Sequence, residues 1–300
     1  MECLSWRRPW EWLDRGRYVF CFHDVSPVGA KHHSPRYSTT PDRFALQLAY
    51  LTERFRIVPL DDLLTEGGGT SRAMAAITFD DGFRSVLTDA LPLLEHHRVP
   101  FTVFVNGDAV LHNRNWVTEL VLHQSDAAFV RDVLMASGCG PSPTTDAISL
   151  IMATGRFGER WRERPQRVYP DRIFLDRDDL LELHRRGAAL EDHGWSHAVL
   201  SRSDERTLTE EITATRPLIK DITGRQPHHF AIPFGKQEHY DAGVVERLFA
   251  AGATSVHSSN PDRLRNWTPG ALVPRIIVLG ESTPQLGFLI NRTLVRRIDL

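Results

Sequence analysis

Along the chain, short apolar runs alternate with longer stretches whose apolar positions recur every three or four residues. "RYVFCFH" (17–23), "AMAAITF" (73–79), "VPFTVFV" (99–105), "GAALED" (187–192), "HHFAI" (228–232) and "PRIIVL" (274–279) read as strands. They are nearly continuous in apolar or small residues, as strands buried on both faces are. Between them, residues 84–97 put Val86, Leu87, Ala90, Leu93 and Leu94 on one helical face. Residues 176–186 and 203–222 predict two more helices, with Asp176 and Ser203 as N-caps. Strand-then-helix repeated six or seven times predicts an α/β fold, a parallel sheet covered by helices, with a closed barrel as its expected form. Residues 112–170 break the rhythm. "NWVTELVLHQSDAAFVRDVLMASG" is helical in pattern, and "CGPSPTTD" is a loop whose Thr144 or Thr145 caps a second helix. The stretch reads as a helical insertion within one domain spanning 1–300.

Composition narrows the function classes. With 41% hydrophobic residues, 25% charged residues and a formal net charge of −2, the chain reads as a soluble globular protein without the basic footprint of a nucleic-acid binder. Cys3, Cys21 and Cys139 form no CxxC pair and are odd in number, so free thiols in a reducing compartment are expected. No run approaches 18 apolar residues, and no transmembrane segment is expected. The first residues, "MECLSWRRPWEWLDRGR", lack the continuous apolar core of a secretory signal, which makes the cytoplasm the expected location. "EGGGTSR" (66–72) lacks the Gly-Lys-Ser/Thr of a phosphate loop and reads as a turn.

The candidate chemistry gathers at strand ends, the rim where parallel barrels build active sites. Asp80 and Asp81 end an apolar strand, with Gly82 permitting a sharp turn. Adjacent residues in extended backbone point in different directions, so one aspartate can ligate a metal while the other stays free as a base. "EDHGWSH" (191–197) carries His193 and His197, and Gly194 between them argues against a helix interior. Two imidazoles and a carboxylate suit a divalent metal such as zinc and leave positions for water and substrate. In "HHFAIPFG" (228–235), Pro233 and Phe234 are placed to line a pocket; in "YVFCFHDVSP" (18–27), His23 ends the first strand. Each feature alone has a plainer reading: an N-cap pair, two of fourteen histidines, core packing, a structural histidine.

Together these segments resemble the polysaccharide deacetylases of the NodB-homology type, carbohydrate esterase family 4. "TFDDGF" is similar to that family's first motif, "HGWSH" to its His-(Ser/Thr)-x-x-His motif with glycine second, and "FAIPFG" to its proline-aromatic-glycine motif. The resemblance runs from about His23 to Arg275, outside the insertion. It implies a distorted (β/α)7 barrel with Asp81, His193 and His197 as ligands of one divalent metal, zinc first, with cobalt or nickel as the other candidates. It implies Asp80 as general base. "FHDVSP" resembles the start of members acting on poly-N-acetylglucosamine and related exopolysaccharides, where the corresponding histidine, here His23, is the general acid. Two departures stand out. Ala231 occupies the place where many members carry an arginine supporting the base, and the late Leu-x-His motif is absent. Arg275 is the candidate replacement. The implied activity is N-deacetylation of N-acetylglucosamine-type sugars in a glycan or glycoconjugate. The alternatives are a deacetylase or deformylase of a small or lipid-linked amino sugar, and a non-catalytic glycan-binding barrel.

Overall fold

The computed structural model describes residues 16–65, 72–136, 149, 171–264 and 267–295. The expected turn at 66–71, Cys3, Cys139 and the second helix of the insertion lie outside the described residues. The strands are β1 (Arg17–Phe22), β2 (Asp24–Val25), β3 (Ser38–Thr39), β4 (Arg56–Ile57), β5 (Met74–Phe79), β6 (Phe101–Val105), β7 (Ala189–Asp192), β8 (His229–Ala231), β9 (Ser255–His257), β10 (Leu272–Val273) and β11 (Ile276–Ile277). The main sheet runs β10-β9-β8-β7-β6-β5-β1-β11, and every pairing in it is parallel. β4 pairs with Met74 and Ala75 of β5, below the point where β6 begins at Ile77.

The two edges of this sheet are one piece of chain. β10 pairs with β9 and β11 with β1, and only Pro274 and Arg275 separate them. The last stave is therefore split between both edges, which closes seven staves into a distorted NodB-type (β/α) barrel. Side chains alternate across it. Tyr18, Phe20, Phe22, Ala75, Ile77, Phe79, Val103 and Leu190 face outward into the main core. Helices α1 (Pro41–Arg54), α3 (Leu91–His96), α7 (Arg177–Arg185), α9 (Arg216–Thr223) and α11 (Thr283–Val295) cover that layer, and α10 (Ala242–Ala250) packs on β8 and β9. Inside, Val19, Met74, Ala76, Phe104, Ala231 and Val273 meet Leu60, Leu63 and Leu64 of α2 (Leu60–Thr65), which plugs one end.

Local chemistry explains where elements end. Asp176 caps α7 through a reciprocal box with Asp179, as its sequence position predicts. The predicted helix 84–97 begins instead as a wide π-type turn, Val86–Ala90, before α3. Pro92 has no N–H to give the preceding turn, and the wider turn accommodates it. The predicted helix 203–222 is two helices, α8 (Glu205–Thr213) and α9, broken ahead of Pro217 for the same reason. Asp204, not Ser203, caps α8, accepting from the Thr207 N–H at 2.7 Å. In the 112–170 stretch, α5 (Trp116–Leu122) and α6 (Ala127–Ala136) follow α4 (Gly107–His112). No helix among the described residues is long and apolar enough to cross a membrane.

Candidate active site

The predicted residues converge on the rim formed by the ends of β1, β5, β7 and β8. Asp80 and Asp81 follow β5 and face different partners, the left-handed backbone at Asp81 turning its side chain away from that of Asp80. Asp80 Oδ1 and Oδ2 accept from Arg275 Nη1 at 2.8 Å and Nη2 at 2.7 Å, a two-pronged ion pair. Arg275 also donates through Nε to the Ser258 carbonyl at 3.1 Å. Its guanidinium is fully buried, and it reaches Asp80 because the kink at Pro274-Arg275 turns it into the barrel. Burial opposes the charged form of Asp80, but Arg275, then His193, hold its carboxyl well below the usual carboxylate range.

Asp81 turns to the two histidines. Its Oδ1 lies 3.4 Å from His193 Nε2 and 3.2 Å from His197 Nε2. One donor atom from each of Asp81, His193 and His197 lies within 4.8 Å of the others. His193 donates from Nδ1 to the Ala231 carbonyl at 2.8 Å, which leaves Nε2 bare toward Asp81. Asp81 Oδ1 is buried and has no hydrogen-bond partner. A buried carboxylate oxygen without a donor, facing two imidazole nitrogens, fits a divalent cation. Without a cation the charges are in tension. Burial pulls the His197 pKa down to about 4, while the two carboxylates overcome burial at His193 and raise it.

His23 follows β1 and is half-buried. It offers one ring nitrogen within 4.8 Å of an Asp80 carboxylate oxygen and of Cys21 Sγ. Cys21 is a buried free thiol, raised well above its usual pKa by burial. Phe234 stands against His197, its ring centroid 4.4 Å from that of His197 and 5.6 Å from that of Trp116. It is the centre of a tight turn in which the Gly235 N–H donates to the Pro233 carbonyl at 2.7 Å.

The rim is built on strained backbone. Asp81, His197 and Phe234 have φ of +70°, +61° and +61°, where a side chain costs about 1–3 kcal/mol per residue. Gly194, at +82°, takes the left-handed position in the turn between His193 and His197. That turn is secured by residues that sequence reading did not single out. The Glu211 carboxylate, on α8, accepts from the Trp195 N–H at 3.1 Å, from the Ser196 N–H and from Ser196 Oγ at 2.5 Å. The Trp116 indole N–H donates to the His197 carbonyl at 2.9 Å, and Thr215 Oγ1 donates to the Gly194 carbonyl at 2.7 Å. Asp192 Oδ1 accepts from the Gly194 N–H at 2.9 Å, and burial pushes its pKa up to about 7. At the start of β2, Asp24 gathers Ser26, Ser38 and Ser85, fixing the chain after His23. One signal for Glu211 was readable: it shares the buried stripe of α8 with Leu208 and Ile212.

A seven-staved parallel barrel with an acid–acid–histidine–histidine rim defines a hydrolase with room for a metal. The sequence profile described as "Polysaccharide deacetylase" matches residues 67–256, and the chain belongs to that family. It is thereby a carbohydrate N-deacetylase, a hydrolase of the amide bond in acetylated sugars. No curated protein matches it in sequence. Among solved structures, the Streptococcus pyogenes deacetylase PplD in complex with acetate aligns with a TM-score of 0.63 at 13% identity, covering 92% of this chain and 98% of that one. IcaB from Ammonifex degensii aligns at 0.60 and 20% identity, covering 91% and 96%. The BpsB deacetylase domain from Bordetella bronchiseptica aligns at 0.56 and 15%, covering 89% and 98%. At these identities the three share the fold.

Proposed function

We propose that the chain removes acetyl groups from N-acetylglucosamine units of a glycan or glycoconjugate and depends on one divalent metal, zinc first. The observation that carries this reading is the pairing of a donor-poor Asp81–His193–His197 cluster with an Asp80 carboxylate locked by Arg275. Asp81 Oδ1, His193 Nε2 and His197 Nε2 would hold the ion, which would acidify water and polarise the acyl oxygen.

The protein's own groups do the rest. Asp80 takes the proton of the attacking water. With its pKa held so low it is a weak base, sufficient only for a water already acidified, but it is always ionised and always aimed. Arg275 occupies one lone pair on each Asp80 oxygen and leaves a second free for that proton. Phe234 and Trp116 form an apolar wall beside His197. His23 protonates the departing sugar amine.

The test is acetate release from chito-oligosaccharides, poly-N-acetylglucosamine and nucleotide- or lipid-linked N-acetyl sugars, with and without chelator. At least one substrate should release acetate, chelator should stop it, and Asp80→Asn should lower kcat by about 10²–10⁴-fold with the fold intact. Chelator-insensitive turnover, or an Asp80→Asn enzyme with full activity, would rule the mechanism out.

A further inference from the structure

The ligand turn is held in a conformation that its own residues disfavour. Between His193 and His197 the chain passes through left-handed backbone at Gly194, and His197 itself sits at φ +61°. Glu211 is completely buried, and both its oxygens face donors of this turn. Oε1 accepts from the Ser196 N–H and Oγ, at 3.1 Å and 2.5 Å. Oε2 accepts from the Trp195 and Ser196 N–H groups, at 3.1 Å and 3.0 Å. A buried carboxylate persists only where donors meet it; these donors lie in the turn between His193 and His197, and the Ala198 N–H just beyond it reaches Oε2 at 3.5 Å.

We propose that Glu211 is a positioning residue that sets the metal affinity of the centre. It acts through the Trp195 and Ser196 amides to keep His197 in its left-handed conformation, with Nε2 directed at Asp81. The proposal rests on the metal reading above. The carboxylate itself is needed. A glutamine in the same place must turn its NH2 toward backbone N–H groups whichever way the amide lies, because both oxygen positions meet donors. Trp116 holds the same turn from the other side, at the His197 carbonyl. The ligand is thus clamped at the amides before it and at the carbonyl after it.

The test uses the full chain and three measurements on Glu211→Gln. These are zinc affinity by competition with a chromophoric chelator, the visible spectrum of the cobalt-loaded protein, and urea unfolding without metal. Zinc affinity should fall about 10–100-fold, the usual effect of removing a partner behind the ligands. The cobalt bands should change shape. A purely structural glutamate would lower metal-free stability yet leave the affinity of the folded protein and its cobalt spectrum unchanged, which overturns the proposal. Ser196→Ala keeps the carboxylate and removes one donor; it should weaken zinc about fivefold, the worth of one hydrogen bond. If Glu211→Gln does not fold, Ser196→Ala decides, and wild-type affinity in it overturns the proposal. Wild-type protein that binds no stoichiometric zinc overturns the metal reading instead.

Discussion

Arg275 enters the barrel at the kink that joins its two edges, and both its Nη atoms go to Asp80. Both groups are buried, so neither tolerates losing the other; breaking such a pair leaves an uncompensated charge. The fork matters as well as the charge, because a lysine ammonium is a point and cannot grip both oxygens in the plane. Arg275→Lys should therefore bind substrate with nearly unchanged KM and lose about 10²-fold in kcat, the range expected when a proton-transfer group is misaimed. Arg275→Met removes the largest of the charges that together outweigh burial at Asp80. The Asp80 pKa then climbs, and the acid limb of kcat/KM should move up by more than about one unit. A pH–rate profile of the two variants checks both outcomes. An Arg275→Lys enzyme with unchanged kcat and an unshifted acid limb would remove Arg275 from the mechanism.

The elements that matter most here are turns, and turns were the least legible part of the sequence. Gly194 stands where related motifs carry serine or threonine, and φ +82° explains why glycine suits this chain. A Cβ there would lie 3.0 Å from Glu211 Oε2, tight against the carboxylate that holds the turn. Gly194→Ser should destabilise the metal-free protein by about 1–2 kcal/mol, the cost of left-handed backbone for a residue with a side chain. Urea unfolding reads this directly, and an unchanged midpoint would mean that the turn relaxes at no cost. Asp80, Asp81, His193 and His197 were legible because strand ends of a parallel barrel share a rim, and strands at 17–23, 73–79, 99–105, 187–192 and 228–232 could be read from apolar runs. β9 escaped notice because only Val256 of its three residues is apolar; Ser255 and His257 turn inward. Glu211 looks like any solvated glutamate until its helical stripe is drawn. Left-handed φ at Asp81, His197 and Phe234 leaves no trace in residue type, since tertiary contacts impose it.

At the scale of the whole barrel, the interior is a polar column set in an apolar wall, and that column makes stability depend on pH. Exposed Asp61 of α2 accepts from His229 Nε2 at 2.9 Å; His229 Nδ1 meets Ser255 Oγ at 2.7 Å, and Ser255 Oγ meets His257 Nε2 at 2.8 Å. The Phe104 ring lies 5.2 Å from the His257 ring and caps the column beneath Arg275. Burial, then the charges of His229 and Arg275, hold His257 far below its ordinary pKa, with Asp80 opposing them only weakly. The native state therefore keeps His257 neutral at pH values where the unfolded chain protonates it. The unfolded state binds more protons below about pH 6.5, so this contribution to stability is present above that pH and is lost on acidification, by about 1.4 kcal/mol for each unit. His197, lowered to about 4, acts with the same sign in metal-free protein, and His193, raised, acts with the opposite sign. Asp192, raised to about 7, and His239, lowered, add to the wild-type slope as well, so only a difference isolates His257. His257→Phe fills the same space beside Phe104 and cannot titrate. Between pH 7.5 and 5.5, metal-free wild type should lose about 1.4 kcal/mol more unfolding free energy than His257→Phe. Equal losses in the two proteins would show that His257 takes up its proton in the native barrel, and the column would then open to acid without unfolding.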